Sequence, residues 1–292
     1  MQAFAKINLT LEILNRRADG YHLLRSVMLP IGLADELVWT PAPDFSFTCD
    51  PAGLASDNLV VRAFERLGLA RAPLAVHLKK NVPVGAGLGG GSSDAAAVLR
   101  AAMKGEFGAL APRDYVADAR ALGSDVPFFL VESGALVEGT GERVTALGAL
   151  PAWSIVLVTP AVHVDTADAY RRLAAERATA SPASRPRSES ASIRALAAVQ
   201  RGDYDTAISC ATNDFEPIVQ AAYPAVAAVL AALRAARAEH AMLSGSGGSC
   251  FSLVRTPSEA RELLARLQLP PGASASIVPF AQTPAWREPT HA

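Results

Sequence analysis

The chain has 292 residues, half of them hydrophobic and 19% charged, with a formal net charge of −1. That length holds two ordinary domains with real cores, and the composition is that of a soluble globular protein. So even a balance gives no electrostatic case for nucleic acid or an anionic membrane surface, and any anionic substrate must be held by local groups.

Cys49, Cys210 and Cys250 are odd in number, far apart and without His at ligand spacing. They read as reduced cytosolic thiols, neither disulfides nor a zinc site. The first residues carry Lys6, Glu12, Arg16 and Arg17 and lack the apolar core of a signal peptide, so a cytoplasmic protein is expected. The uncharged span Ala146 to Val164 is broken by Gly148, Pro151, Pro160 and His163, which predicts a buried strand at Ser154–Val158 rather than a membrane helix.

Taken in order, Lys6 to Ile13 alternates: Ile7, Leu9, Leu11 and Ile13 on one face, Lys6, Asn8, Thr10 and Glu12 on the other. The pattern predicts a half-buried strand with Lys6 and Asn8 toward solvent. Arg17-Ala18-Asp19-Gly20-Tyr21-His22 is a turn followed by an aromatic and an imidazole. Strands are expected at Glu36–Thr40 and Asp44–Thr48, then a helix from an N-cap at Ser56 or Asp57 to a stop at Gly68. Leu74–Leu78 reads as a further strand, with Lys80 just beyond its end.

Then comes Pro83-Val84-Gly85-Ala86-Gly87-Leu88-Gly89-Gly90-Gly91-Ser92-Ser93-Asp94, running into Ala95-Ala96-Ala97. Five glycines before a helix cost conformational entropy, and close approach of backbone N–H groups to an anion is what offsets it. Ser92, Ser93 and Asp94 are capping types and the alanines are strong helix formers. Glycine loop plus helix N-terminus is a phosphate site in outline. Gly85-Ala86-Gly87-Leu88-Gly89-Gly90 also satisfies G-x-G-x-x-G, the dinucleotide fingerprint. Against that reading, Lys79, Lys80, Asn81 and Pro83 separate strand from loop, and no acid-ended strand follows at the right spacing. No Gly-Lys-Ser/Thr ends the run, so it is not a P-loop.

A helix over Pro112–Leu122, stopped by Gly123, delivers Ser124-Asp125-Val126-Pro127-Phe128-Phe129. Asp125 is there either a buried, paired acid or a turn residue. Glu138–Glu142 reads as a hairpin turn, and Thr166 leads into a helix that contains Tyr170. Glu176 to Ser192 is rich in Ala, Ser, Pro and Arg without periodicity and reads as a surface loop. A helix begins at Pro224, and Ser244-Gly245-Ser246-Gly247-Gly248 forms a second glycine-rich loop entering a strand. Thr256-Pro257-Ser258-Glu259 reads as a capping box, Ala275–Phe280 as the last strand, and the tail after Gln282 as loose.

The Pro83–Ala96 run resembles the nucleotide loop of the galactokinase, homoserine kinase, mevalonate kinase and phosphomevalonate kinase superfamily, the GHMP kinases. Its Gly-Gly-Gly-Ser-Ser-Asp-Ala-Ala version is most similar to the branch that phosphorylates 4-diphosphocytidyl-2-C-methyl-D-erythritol for isoprenoid synthesis. The resemblance extends, in family order, over Ala5-Lys6-Ile7-Asn8-Leu9, Arg17–His22, Asp57-Asn58-Leu59, Gly123–Pro127, Thr166 with Tyr170, and Ser244–Gly248. The chain opens with less leader than that family usually has, which leaves a mis-assigned start or a shortened first strand as the expectation.

The resemblance implies an α+β, two-domain fold: residues 1–149 like domain 2 of ribosomal protein S5, residues 150–292 ferredoxin-like, substrate in the cleft between. It implies ATP as donor with Mg²⁺, Lys6 and Asp125 as catalytic pair, and Asp125 as base. Asn58, Lys80, Pro83, Gly85, Gly87, Leu88, Gly89, Gly90, Gly91, Ser92 and Ser93 are implied at the nucleotide, with Ser92 or Ser93 at the metal. Asn8, Tyr21, His22, Thr166, Tyr170 and Gly247 are implied at the substrate, with Tyr21 stacked on the pyrimidine and His22 on its edge. Tyr170 serves equally well as a helix packing residue. A small-molecule substrate, no nucleic acid, no membrane and a monomer or weak homodimer complete the expectation. The rivals are a homoserine or mevalonate kinase of the same superfamily, a nicotinamide oxidoreductase, and an inactive nucleotide sensor.

Overall fold

Both faces of the first strand are buried. In the computed structural model, which describes residues 1–16, 22–54, 57–179 and 190–281, β1 spans Gln2–Arg16, fifteen residues. Ile7 and Leu9 face a core, as their spacing predicts, but Lys6, Asn8, Thr10 and Glu12 on the polar face are buried too. The solvent-facing expectation is therefore corrected. Two helices sandwich the strand, α2 (Gly90–Met103) on one side and α5 (Ala191–Arg201) on the other. Buried polar groups then need partners: Thr10 Oγ1 bonds Ser192 Oγ at 2.8 Å, and Glu12 accepts from Ser190 Oγ and the Ser192 N–H.

β1 pairs antiparallel with β2 (His22–Pro41), whose last residues are the strand expected at Glu36–Thr40. β2 is twenty residues long, enough for two partners on its other edge. Leu24–Met28 pairs with β5 (Gly134–Gly139), and Glu36–Pro41 with β4 (Leu74–Lys79). β3 (Ser46–Asp50) joins β4 in parallel, β6 (Arg143–Gly148) closes the expected hairpin with β5, and β8 (Thr212–Asn213) flanks β1. α1 (Leu59–Arg66) and α3 (Tyr115–Leu122) pack with α2. α3 begins three residues later than expected because Asp114 caps it, accepting from Val116 and Ala117 N–H.

The second sheet has the order β11-β7-β10-β9, all antiparallel, from β7 (Ser154–Thr159), β9 (Met242–Leu243), β10 (Cys250–Val254) and β11 (Ser274–Pro279). α4 (Thr166–Thr179), α5, α6 (Tyr204–Cys210), α7 (Glu216–Ala222) and α8 (Pro224–Ala235) connect β7 to β9, and α9 (Pro257–Arg266) connects β10 to β11. The result is the β-α-β-β-α-β order of a ferredoxin-like sheet. Thr256 caps α9 as expected, while Glu259 reaches back to the Arg255 N–H. Residues 176–179 and 191–192 are helical rather than loop, and 180–189, Ser56 and the tail from Gln282 lie outside the described residues. The first sheet's β6 ends at Gly148 and the second sheet's β7 begins at Ser154, while β8 and α5 return to the first sheet. Among the described residues no single helix is long and apolar enough to cross a membrane.

Candidate active site

The glycine run forms a loop and then the first turn of α2. The helix starts earlier than its serines suggest: Gly89 is the N-cap, at φ +71°, and the first intrahelical bond is Ser93 N–H to Gly89 O at 2.9 Å. The N–H groups of Gly90, Gly91 and Ser92 thus have no helical acceptor and sit at the positive end of the dipole. Ser93 is corrected: its N–H is spent in the helix, and its side chain is buried on the side away from the cleft, beside Phe128 and Phe129. Ser92 keeps the cleft side.

The second glycine-rich loop holds the first from behind. Gly87 O accepts from Ser244 Oγ at 3.0 Å, and Ala86 O from the Ser249 N–H at 3.0 Å. Gly87 lies at φ +75°, and a Cβ there would overlap the Ser244 carbonyl oxygen. Gly247 packs its backbone against Gly85–Gly87, so it supports the loop, while Gly245 and Ser246 face the cleft. Asn213 fixes this second loop by donating to Leu243 O and Gly245 O. Nothing in its local pattern marked it; only the fold brings β8 to β9.

Lys6 reaches the same place from β1. Its ammonium donates to Asn8 Oδ1 at 2.6 Å and Gly87 O at 2.8 Å, and stands 3.7 Å from Asp125 Oδ2. Asn8 is aimed by its own donation to Ser26 Oγ. Burial lowers the Lys6 pKa, and the Asp125 carboxylate opposes that shift. Asp125 occupies the turn after α3 with its side chain 29% exposed, so it is both a turn residue and a paired acid.

These groups line one cleft of about 540 Å³, within the size range of small-molecule sites. Pro83, Gly85, Leu88 and Lys80 line it with the loop. Lys80 is nonetheless paired, with Asp94 at 2.8 Å and with Asp35. Asn58 also lines it, but as the N-cap of α1: Oδ1 accepts from Val60 N–H, and Nδ2 donates to Leu54 O. The cap is thus Asn58 rather than the expected Ser56 or Asp57, and Asp57 at φ +55° is the turn before it. On the far wall Thr166 Oγ1 bonds Ser246 Oγ at 2.8 Å. Tyr170 stacks on His22, with ring centroids 5.4 Å apart, and meets Phe215 edge-on at 4.7 Å. Burial, and then the Asp125 charge, push its hydroxyl up to about 12. His22 backs this wall through Tyr170, and Tyr21 lies outside the described residues. Leu24, Met28 and Phe215 add an apolar lining to the cleft.

Comparison with known proteins agrees with this geometry. The family described as GHMP kinases N terminal domain matches residues 58–133, and GHMP kinases C terminal matches residues 195–270. The 4-diphosphocytidyl-2-C-methyl-D-erythritol kinase of Pelotomaculum thermopropionicum is 40% identical, over 90% of this chain and 92% of its own. A solved 4-(cytidine 5'-diphospho)-2C-methyl-D-erythritol kinase superposes with a TM-score of 0.75 at 33% identity, covering 96% of this chain and 99% of its own. A homoserine kinase from Cytophaga hutchinsonii superposes at 0.62 over 95% and 94%, but at 19% identity it shares the fold alone.

Proposed function

We propose, for a chain that belongs to the GHMP kinases and within them to the 4-diphosphocytidyl-2-C-methyl-D-erythritol kinase family, transfer of the ATP γ-phosphoryl group to the 2-hydroxyl of 4-diphosphocytidyl-2-C-methyl-D-erythritol. The observation that carries it is the convergence of Lys6, Asn8 and Asp125 beside the Gly89–Ser92 helix start within one cleft.

Phosphoryl transfer asks the protein chiefly for positioning and charge stabilisation. The N–H groups of Gly90, Gly91 and Ser92, with the helix dipole behind them, hold the ATP phosphates. Asp125, partly open to the cleft, takes the proton of the acceptor hydroxyl within hydrogen-bond reach. Lys6, aimed by Asn8, offsets charge on the transferring group. Tyr170, backed by His22, forms the wall for the cytidine end, where an aromatic face suffices for stacking.

Among the described residues no three His, Cys, Asp or Glu side chains gather to cage a metal. The Ser92 hydroxyl, on the cleft side of the helix start, is the protein group that would help hold Mg²⁺ beside the phosphates. When bound, Mg²⁺ neutralises charge on the β- and γ-phosphates.

The test is ADP release from Mg-ATP with 4-diphosphocytidyl-2-C-methyl-D-erythritol, homoserine and mevalonate side by side. Turnover with the cytidyl substrate alone is expected. Turnover with another alcohol instead would keep the loop chemistry and overturn the acceptor.

A further inference from the structure

Asp35 is a fully buried acid inside β2, and its side chain serves the loop rather than the strand. One oxygen accepts from the Asn81 N–H at 2.6 Å and the Val82 N–H at 2.7 Å, the two residues that lead into the glycine loop. The other meets the Lys80 ammonium. That ammonium also donates to Asp94 Oδ2 at 2.8 Å, from the second turn of α2. It lies against Gly90 as well: a Cβ there would stand 3.1 Å from Nζ and 3.0 Å from a Val82 methyl. A single buried network thus grips the loop where the chain enters it, at Lys80–Val82, and where the chain leaves it, at Gly90–Asp94.

Stability is a poor reason for such a cluster. Removing charges from water is costly, and apolar replacements of buried ion pairs are often as stable. Here two carboxylates share one ammonium, and Asp94 Oδ1 is buried without a hydrogen-bond partner. What the network does supply is geometry. Its donors and acceptors have directions, so it fixes the separation of the loop's two ends as apolar packing would not. The phosphate-facing N–H groups of Gly90, Gly91 and Ser92 lie directly beside the end that Asp94 and Lys80 hold.

We infer that Asp35 and Asp94 are positioning residues for the nucleotide: acting through Lys80, they hold the glycine loop in its phosphate-accepting shape, so that ATP affinity depends on them while acceptor affinity does not. This rests on the kinase reading above.

The experiment is steady-state kinetics of Asp35→Asn, Asp94→Asn and Lys80→Met, with direct titration of a fluorescent ATP analogue into each. KM for ATP and the analogue Kd are expected to rise at least tenfold, with KM for 4-diphosphocytidyl-2-C-methyl-D-erythritol within twofold of the unaltered protein. A merely structural role predicts something else: both KM values drifting together, or a lowered melting temperature with ATP KM unchanged. Either overturns the inference, as does failure of all three variants to fold. If the unaltered protein turns over none of the acceptors, the kinase reading fails by itself, and the analogue titration still decides whether the network governs nucleotide binding.

Discussion

The Lys6 ammonium stands 2.6 Å from Asn8 Oδ1 and 3.7 Å from Asp125 Oδ2, so a neutral amide aims the cation that faces the proposed base. Ser26 completes the chain by accepting from Asn8 Nδ2.

If aiming is the role of Asn8, Asn8→Ala leaves the nucleotide loop in place and loosens Lys6. A hydrogen bond to a charged group contributes about 1.5–3 kcal/mol, so kcat should fall roughly 10- to 100-fold, with KM for ATP within about twofold. Steady-state kinetics against both substrates checks this; a rise in KM for ATP with unchanged kcat would contradict it.

Gly87 is where the two glycine-rich loops interlock. Gly87→Ala needs φ +75° from an alanine and drives its methyl into the Ser244 carbonyl oxygen. The left-handed conformation alone costs about 1–2 kcal/mol. The variant should melt at least about 3 °C lower and bind ATP at least about tenfold more weakly, read by thermal denaturation and nucleotide titration.

If the Tyr170 ring, packed against His22 and edge-on to Phe215, is what meets the cytidyl substrate, its hydroxyl is dispensable for binding. Tyr170→Phe should therefore leave KM for the cytidyl substrate within about twofold. Tyr170→Ala should raise it about tenfold or more, the range expected when an aromatic stacking platform is removed. Equal effects of the two variants would place the hydroxyl, not the ring, at the substrate.

His240 makes stability pH-dependent. Both ring nitrogens are shut off from solvent without a hydrogen-bond partner among the described residues, and the ring leans on Phe251. Burial lowers its pKa to about 4. The folded chain thus resists a proton that the unfolded chain accepts from about pH 6.5 downward. Stability is fully present above that pH and is lost down to about pH 4, by on the order of 3 kcal/mol. Asp94 acts with the opposite sign: burial raises its carboxyl to about 7, so its contribution is lost as pH rises toward that value. Denaturant unfolding of the unaltered protein and His240→Leu at pH 7.5 and 4.5 isolates the histidine. The stability gap between them should move in favour of the variant at the lower pH.

The glycine loop was legible from sequence because its chemistry is local: glycines at positive φ, a helix start and alanines after it. The polar face of β1 was not. Period-two alternation reports two different faces, and here the second face is buried by α5 from nearly two hundred residues away. Ser92 and Ser93 looked interchangeable until the helix start at Gly89 set which one turns toward the cleft. Asn58, expected at the nucleotide, is the N-cap of α1, and residue type alone does not separate the two uses. Asp35 lay one residue outside the expected strand at Glu36–Thr40, and nothing local distinguishes a buried acid from a solvated one. Its role needs Lys80, Asn81 and Val82 to be brought against it by the pairing of β2 with β4.

The most direct test of the account is single-turnover phosphoryl transfer from Mg-ATP to 4-diphosphocytidyl-2-C-methyl-D-erythritol in Asp125→Asn, with ATP affinity measured on the same preparation. A positioned general base contributes roughly 10²- to 10⁴-fold, so the rate should fall by about that factor while ATP binds as before. Transfer at nearly the original rate would show that Asp125 is not the base and that the Lys6–Asp125 pair only holds the cleft together.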